Sequence, residues 1–94
     1  MDKELSAPHT NPSEWINTDM VRNPVRVFAN AMELKLKVND YKGGWQPERC
    51  SIAYLKGRLK QEIHEYETSS DPRELLDIAN FCMMIADKYA EERG

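Results

Sequence analysis

Four carboxylates stand in two evenly spaced pairs, Glu62 with Glu65 and Glu74 with Asp77. The members of each pair are three positions apart, so on an α-helix they share a side, about 4.5 Å apart along the axis. In an antiparallel hairpin that turns near Ser69-Ser70, residues at one level have numbers with a constant sum, and Glu62 with Asp77 meets the same condition as Glu65 with Glu74. The four acids would then face one another in two levels. Carboxylates gathered in a partly dry place repel, and either take up protons or bind a cation. All-oxygen ligation selects a hard ion, Mg²⁺ or Mn²⁺, and Mg²⁺ keeps waters while bridging to substrate phosphates. The residue types thus point to chemistry at phosphate.

Each pair taken singly has a plainer explanation. The chain holds 16 acids, so ExxE spacing arises readily by chance. Glu74 also fits the acid of a capping box begun by Asp71. Asp77 and Asn80 are harder to account for, because they sit at and within a mostly apolar stretch that ends at Ala86. Buried without partners, each would cost a few kcal/mol. Asn80 lies on the helix side next to Asp77, suited to a phosphate oxygen, a metal-bound water or an interhelical hydrogen bond. Lys42 is a candidate phosphate contact or simply a solvated lysine, and Trp45 a flat surface for a base or a core tryptophan. His64 points away from both Glu62 and Glu65 and reads as structural or exposed; Lys88, about 16 Å along the helix from Asp77, reads as a surface residue.

The elements that must position these groups are helices. Residues 1–22 form a polar, Pro-containing arm without periodicity, whose Trp15-Ile16 and Met20-Val21 pairs suit docking onto the body. Asn23-Pro24 reads as an N-cap followed by proline at the first helical position, and Val27, Ala31, Leu34 and Val38 recur at helical spacing up to Gly43-Gly44. A second helix, about Ser51 to Thr68, carries Ile52, Leu55, Leu59, Ile63 and Tyr66 along one stripe, which Glu62 borders. Its interior Gly57 suggests the close approach of another backbone or a ligand. A third helix follows the Asp71-Pro72-Arg73-Glu74 start and runs to about Glu92. Its residues Ile78 to Ala86 are apolar around nearly the whole circumference, more than two partner helices of so short a chain can cover, so a second subunit is expected. The expected fold is all-α, an antiparallel bundle of about three main helices completed by oligomerisation, with the arm at 1–22 and the helical domain at 23–94.

Composition agrees with a folded domain and excludes several classes. At 94 residues the chain is a single unit, and 40% hydrophobic with 31% charged residues is ordinary for a globular domain. Net charge is −3 with a pI of about 5.4 and no basic cluster, which argues against nucleic acid as a partner. The first ten residues have no apolar core of a leader, and no run is long enough to cross a bilayer. Cys50 and Cys82 lack CxxC spacing and read as free thiols in a reducing, cytoplasmic setting. With only His9 and His64, a histidine-rich zinc site is not expected.

From about Pro24 to Lys88 the chain resembles the MazG-like all-α nucleotide pyrophosphohydrolases, in particular the small phage and bacterial members. The resemblance is carried by KGGW at Lys42 to Trp45, EIHE at Glu62 to Glu65, and ELLDIANF at Glu74 to Phe81. It implies hydrolysis of a nucleoside triphosphate, in particular a deoxynucleoside triphosphate, between the α and β phosphates, on a helical bundle completed as a dimer or tetramer. It also matches Glu62, Glu65, Glu74 and Asp77 to the family's ExxE and ExxD metal ligands. Mg²⁺ ions on these acids would neutralise the triphosphate and activate a water for in-line attack, with Glu65 the candidate to take the water's proton. The chain departs from the family in that only eight residues separate Glu65 from Glu74, which makes the hairpin short. Two other readings stand beside this one: phosphoribosyl-ATP pyrophosphohydrolase, which KGGW and DIANF match less well, and a non-catalytic oligomeric helical scaffold.

Overall fold

The computed structural model describes residues 21–93, with Arg93 placed in its backbone only. The N-terminal pairs Trp15-Ile16 and Met20-Val21 therefore lie outside the described residues, apart from Val21. Three helices follow in order: α1 over Asn23–Val38, α2 over Ile52–Ser69 and α3 over Glu74–Arg93, with a short 3₁₀ turn at Asp40–Lys42 between α1 and α2. No strand occurs among the described residues, and none of their helices is long and apolar enough to cross a membrane. Helix α3 is the centre of the arrangement and packs against both α2 and α1.

Helix boundaries differ from the sequence expectation in ways that local hydrogen bonds explain. The N-cap of α1 is Arg22, not Asn23, and it offers no capping side chain. Its carbonyl accepts the first helical bond, from the Arg26 N–H at 3.0 Å, while the Arg26 guanidinium donates to the Val21 carbonyl. Helix α1 also stops at Val38 and does not continue to the glycines. There Asn39 closes the last turn, its backbone N–H donating to Leu36 and Lys35 and its side-chain amide to the Lys35 carbonyl at 3.2 Å. The chain then reverses through Gly43 and Gly44 at φ of +100° and +70°, the left-handed region that favours glycine. Helix α2 starts as expected at Ser51, whose hydroxyl accepts the Tyr54 N–H at 3.1 Å.

The α2–α3 turn is as tight as the spacing requires. Ser70 sits at φ +56° and donates its N–H to the Tyr66 carbonyl at 2.7 Å, ending α2. Asp71 then caps the Arg73 N–H at 2.9 Å. The bonds from Glu74 to the Asp71 carbonyl and from Leu75 to the Pro72 carbonyl span three residues, so α3 opens on a 3₁₀-like turn and becomes regular at Glu74, later than Pro72.

Packing among the described residues leaves much apolar surface uncovered. Among the described residues, Leu55 is the one hydrophobic side chain that is fully buried. The stripe that marks α1 as a helix is not the face it turns to α3: Val27, Leu34 and Val38 are 59%, 63% and 71% exposed, while Met32, Lys35, Leu36 and Asn39 are half-buried. Gly57 has no neighbour near the place of an added Cβ, so no close approach among the described residues accounts for it. Both cysteines are free, Cys50 half-buried and Cys82 exposed.

Candidate metal centre

The antiparallel packing of α2 on α3 brings Glu62, Glu74 and Asp77 together, with one carboxylate oxygen from each lying within 4.8 Å of the others. Glu62 comes from α2 and is only 6% exposed, deeper than its neighbour Ile63. Glu74 and Asp77, one turn apart on α3, are half-buried. The capping-box role that could have claimed Glu74 is not used, because the Asp71 N–H donates to the Ser69 hydroxyl at 3.1 Å. The Glu74 carboxylate is therefore left to the cluster. Glu65, matched by spacing to Glu74, is exposed and lies outside the close group. It remains near enough for its charge to act on Glu62.

The electrostatics of Glu62 follow from this crowding. Burial pushes its carboxyl above the ordinary value, the charges of Glu65, Asp77 and Glu74 push the same way, and Arg58 opposes them. The Arg58 guanidinium donates to the Glu62 carboxylate at 3.1 Å, and the Lys35 ammonium of α1 stands 3.5 Å from that of Asp77. Three hard oxygen donors at this separation suit a divalent cation such as Mg²⁺ or Mn²⁺, which would relieve the repulsion that a lone guanidinium and ammonium only partly offset.

Asn80 supplies a second sign of a ligand. It is 3% exposed, and its side-chain amide nitrogen donates to the Met32 carbonyl at 3.2 Å, tying α3 to α1. Its oxygen Oδ1 is buried with no partner among the described residues. With the nitrogen engaged, the open atom is an acceptor. A phosphate oxygen, itself an acceptor, does not match it, whereas a water at a cation or a ligand N–H or O–H does. Asn80 lines a cavity of about 530 Å³ together with Glu62, Asp77, Trp45, Tyr54 and Phe81, a size in the range of small-molecule sites.

Trp45 and Lys42 both border this cavity. The Trp45 indole N–H donates to Asp87 on α3 at 2.9 Å, which fixes the ring as a wall. Lys42 is exposed, with its ammonium 5.8 Å from the centre of the Tyr41 ring. Lys88, read as a surface residue, is half-buried, and its ammonium donates to the carbonyls of Gln46 and Pro47 at 3.2 and 3.3 Å, pinning the loop that carries Trp45. His64 is exposed.

Sequence reasoning passed over Lys35, Arg58 and Asp87. Arg58 had a visible signal, its position four residues before Glu62, at the spacing of a helical ion pair. Lys35 and Asp87 had none, because their partners lie more than 40 residues away in the chain.

Compared with known proteins, the chain matches no family model, no curated protein and no solved structure.

Proposed function

We propose that the protein is a Mg²⁺-dependent nucleoside triphosphate pyrophosphohydrolase that cleaves a nucleoside triphosphate, in particular a deoxynucleoside triphosphate, between the α and β phosphates, releasing a monophosphate and pyrophosphate. The observation that carries this reading is the convergence of Glu62, Glu74 and Asp77, two of which, Glu62 and Asp77, line with Asn80 a cavity large enough for a nucleotide. The site of cleavage is taken from the resemblance of KGGW, EIHE and ELLDIANF to the MazG-like enzymes.

In this reading Glu62, Glu74 and Asp77 would hold the ion, with Glu65 as the fourth ligand that the resemblance implies. A bound ion would supply charge neutralisation at the phosphates and a more acidic water. Asn80 would accept through Oδ1 a hydrogen bond from a donor at the site. Glu65, exposed and adjacent, takes the water's proton. Trp45, held by Asp87, gives the base a flat face, and Lys42 reaches a phosphate from the rim.

The active form is a homo-oligomer, a dimer or tetramer. What supports this is the exposed stripe of Val27, Leu34 and Val38 on α1, together with a core in which Leu55 alone is fully buried among the described hydrophobic residues. A non-catalytic helical scaffold would make equal use of that stripe, and turnover separates the two readings. Incubation with each nucleoside and deoxynucleoside triphosphate, with Mg²⁺ or with chelator, should release pyrophosphate only with the metal, and Glu62→Gln and Asp77→Asn should abolish it. Orthophosphate as the direct product overturns α–β cleavage. Absence of turnover, with no stabilisation by Mg²⁺, leaves the scaffold.

A further inference from the structure

We propose that Arg58 and Lys35 are resident counterions of the acid cluster, which a divalent cation displaces and which then grip the phosphates of the incoming polyphosphate ligand. The proposal rests on the metal-site reading above and adds a role for two side chains that this reading does not use.

Each of the two cations is paired with a different member of the cluster. Arg58 reaches Glu62 at 3.1 Å from one turn earlier on α2, and Lys35 reaches Asp77 at 3.5 Å from α1. Both line the same cavity as Glu62, Asp77 and Asn80, so they stand where a ligand's phosphates would meet a metal on these acids. Both reach solvent, being 34% and 37% exposed in their side chains, whereas the Glu62 side chain is 7% exposed; Arg58 also donates to the Gln61 side-chain oxygen. Arg58 also stacks on an aromatic face while it bonds Glu62, its guanidinium lying 5.1 Å from the centre of the Phe81 ring. Sliding along that face keeps a cation–π contact after the carboxylate is given up.

A dication and a guanidinium cannot share the Glu62 oxygens without strong repulsion, so metal binding drives Arg58 outward and into the cavity. There its planar fork matches two phosphate oxygens, and Lys35 supplies a point charge to a third. The cavity is ready for an anion once the acids are neutralised: Lys35, Lys42, Arg49 and Arg58 border it against Asp40, Glu62 and Asp77. In the metal-free protein these charges nearly cancel. With a dication bound the cavity becomes clearly positive, so metal must precede the polyphosphate.

The test is to measure, by calorimetry on the full chain, the affinity for Mg²⁺ alone and the affinity for inorganic triphosphate at a fixed concentration of free Mg²⁺. Arg58→Gln should bind Mg²⁺ about tenfold more tightly than the wild type and triphosphate about tenfold more weakly, and Lys35→Gln should show the same opposed pair of changes. Arg58→Lys should restore the Mg²⁺ affinity toward wild type while recovering only part of the triphosphate affinity. A side chain that merely supports the fold would weaken both affinities together. That result, or a Mg²⁺ affinity that does not change, overturns the proposal while leaving the metal site standing, provided wild-type protein binds Mg²⁺ and Glu62→Gln does not. Wild-type protein with no Mg²⁺ binding removes the site itself and the proposal with it.

Discussion

Glu62→Gln should stabilise the metal-free protein and at the same time abolish its stabilisation by Mg²⁺. The carboxylate is 6% exposed and lies within 4.8 Å of oxygens on both Glu74 and Asp77. At an effective dielectric of about 20, each such pair costs about 3.5 kcal/mol, so the two together cost about 7 kcal/mol. Arg58 at 3.1 Å returns about 5 kcal/mol on the same scale. The balance is about 2 kcal/mol unfavourable before the cost of burying the charge is added, and a neutral amide of the same shape removes it. Arg58 is 34% exposed and can turn to water when its partner loses charge. We therefore expect a gain of about 1 to 2 kcal/mol, which for a domain of this size raises the melting temperature by roughly 4 to 16 °C. The assay is thermal unfolding at one protein concentration, in chelator and in excess Mg²⁺. Wild-type protein should gain about 2.7 kcal/mol at a metal concentration of a hundred times Kd, and Glu62→Gln should gain nothing. A variant that melts lower than wild type in chelator and still responds to Mg²⁺ would refute the reasoning, since Glu62 would then be a structural partner of Arg58 and not a strained ligand.

The pH dependence follows from the same crowding. The Glu62 carboxyl is raised in the folded chain, so the folded state holds its proton more firmly than the unfolded state. Its contribution to stability is present below the ordinary carboxylate value and is lost as pH rises through the raised one, and a chelator-treated melt across mildly acidic pH should show that loss, absent in Glu62→Gln. Mg²⁺ affinity should rise over the same interval, as metal displaces the proton; a flat calorimetric profile would contradict the assignment. Asn80→Leu should change metal-free stability by no more than about 1 kcal/mol, because losing the bond to Met32 is offset by removing an unsatisfied oxygen; turnover should fall at least tenfold, and unchanged kinetics would make Asn80 a packing residue. Gly57→Ala should stabilise by about 1 kcal/mol, since open space surrounds the Cβ position. A destabilised Gly57→Ala protein whose oligomer dissociates in light scattering would instead place that glycine in a subunit contact.

Much of the molecule was legible in the sequence because the relevant physics is local. Helical periodicity, the Ser51 cap and the Asp71-Pro72 start located α2 and α3 to within a few residues. The short turn between them forces an antiparallel hairpin, so the meeting of Glu62 with Asp77 follows almost from residue spacing. Where local reading failed, another local bond had won: Asn39 ended α1 before the glycines, and the Ser69 hydroxyl took the backbone group that Glu74 would have capped.

Tertiary structure decided which face of each helix is turned inward and who partners the buried charges. The apolar stripe of α1 announces a helix but not its direction, and within this chain the stripe faces outward while Lys35 faces the acids. Asn80 could be picked out as a polar residue in an apolar helix, yet only the crossing of α1 over α3 shows its nitrogen spent on Met32 and its oxygen left open. The bond from Trp45 to Asp87 and the grip of Lys88 on the Gln46 and Pro47 carbonyls likewise join residues about 40 positions apart. Spacing along one or two turns of helix specifies which side chains share a face; the partners that tune their charge and close the cavity are chosen by how three helices cross, and that is set by the packing of the whole chain.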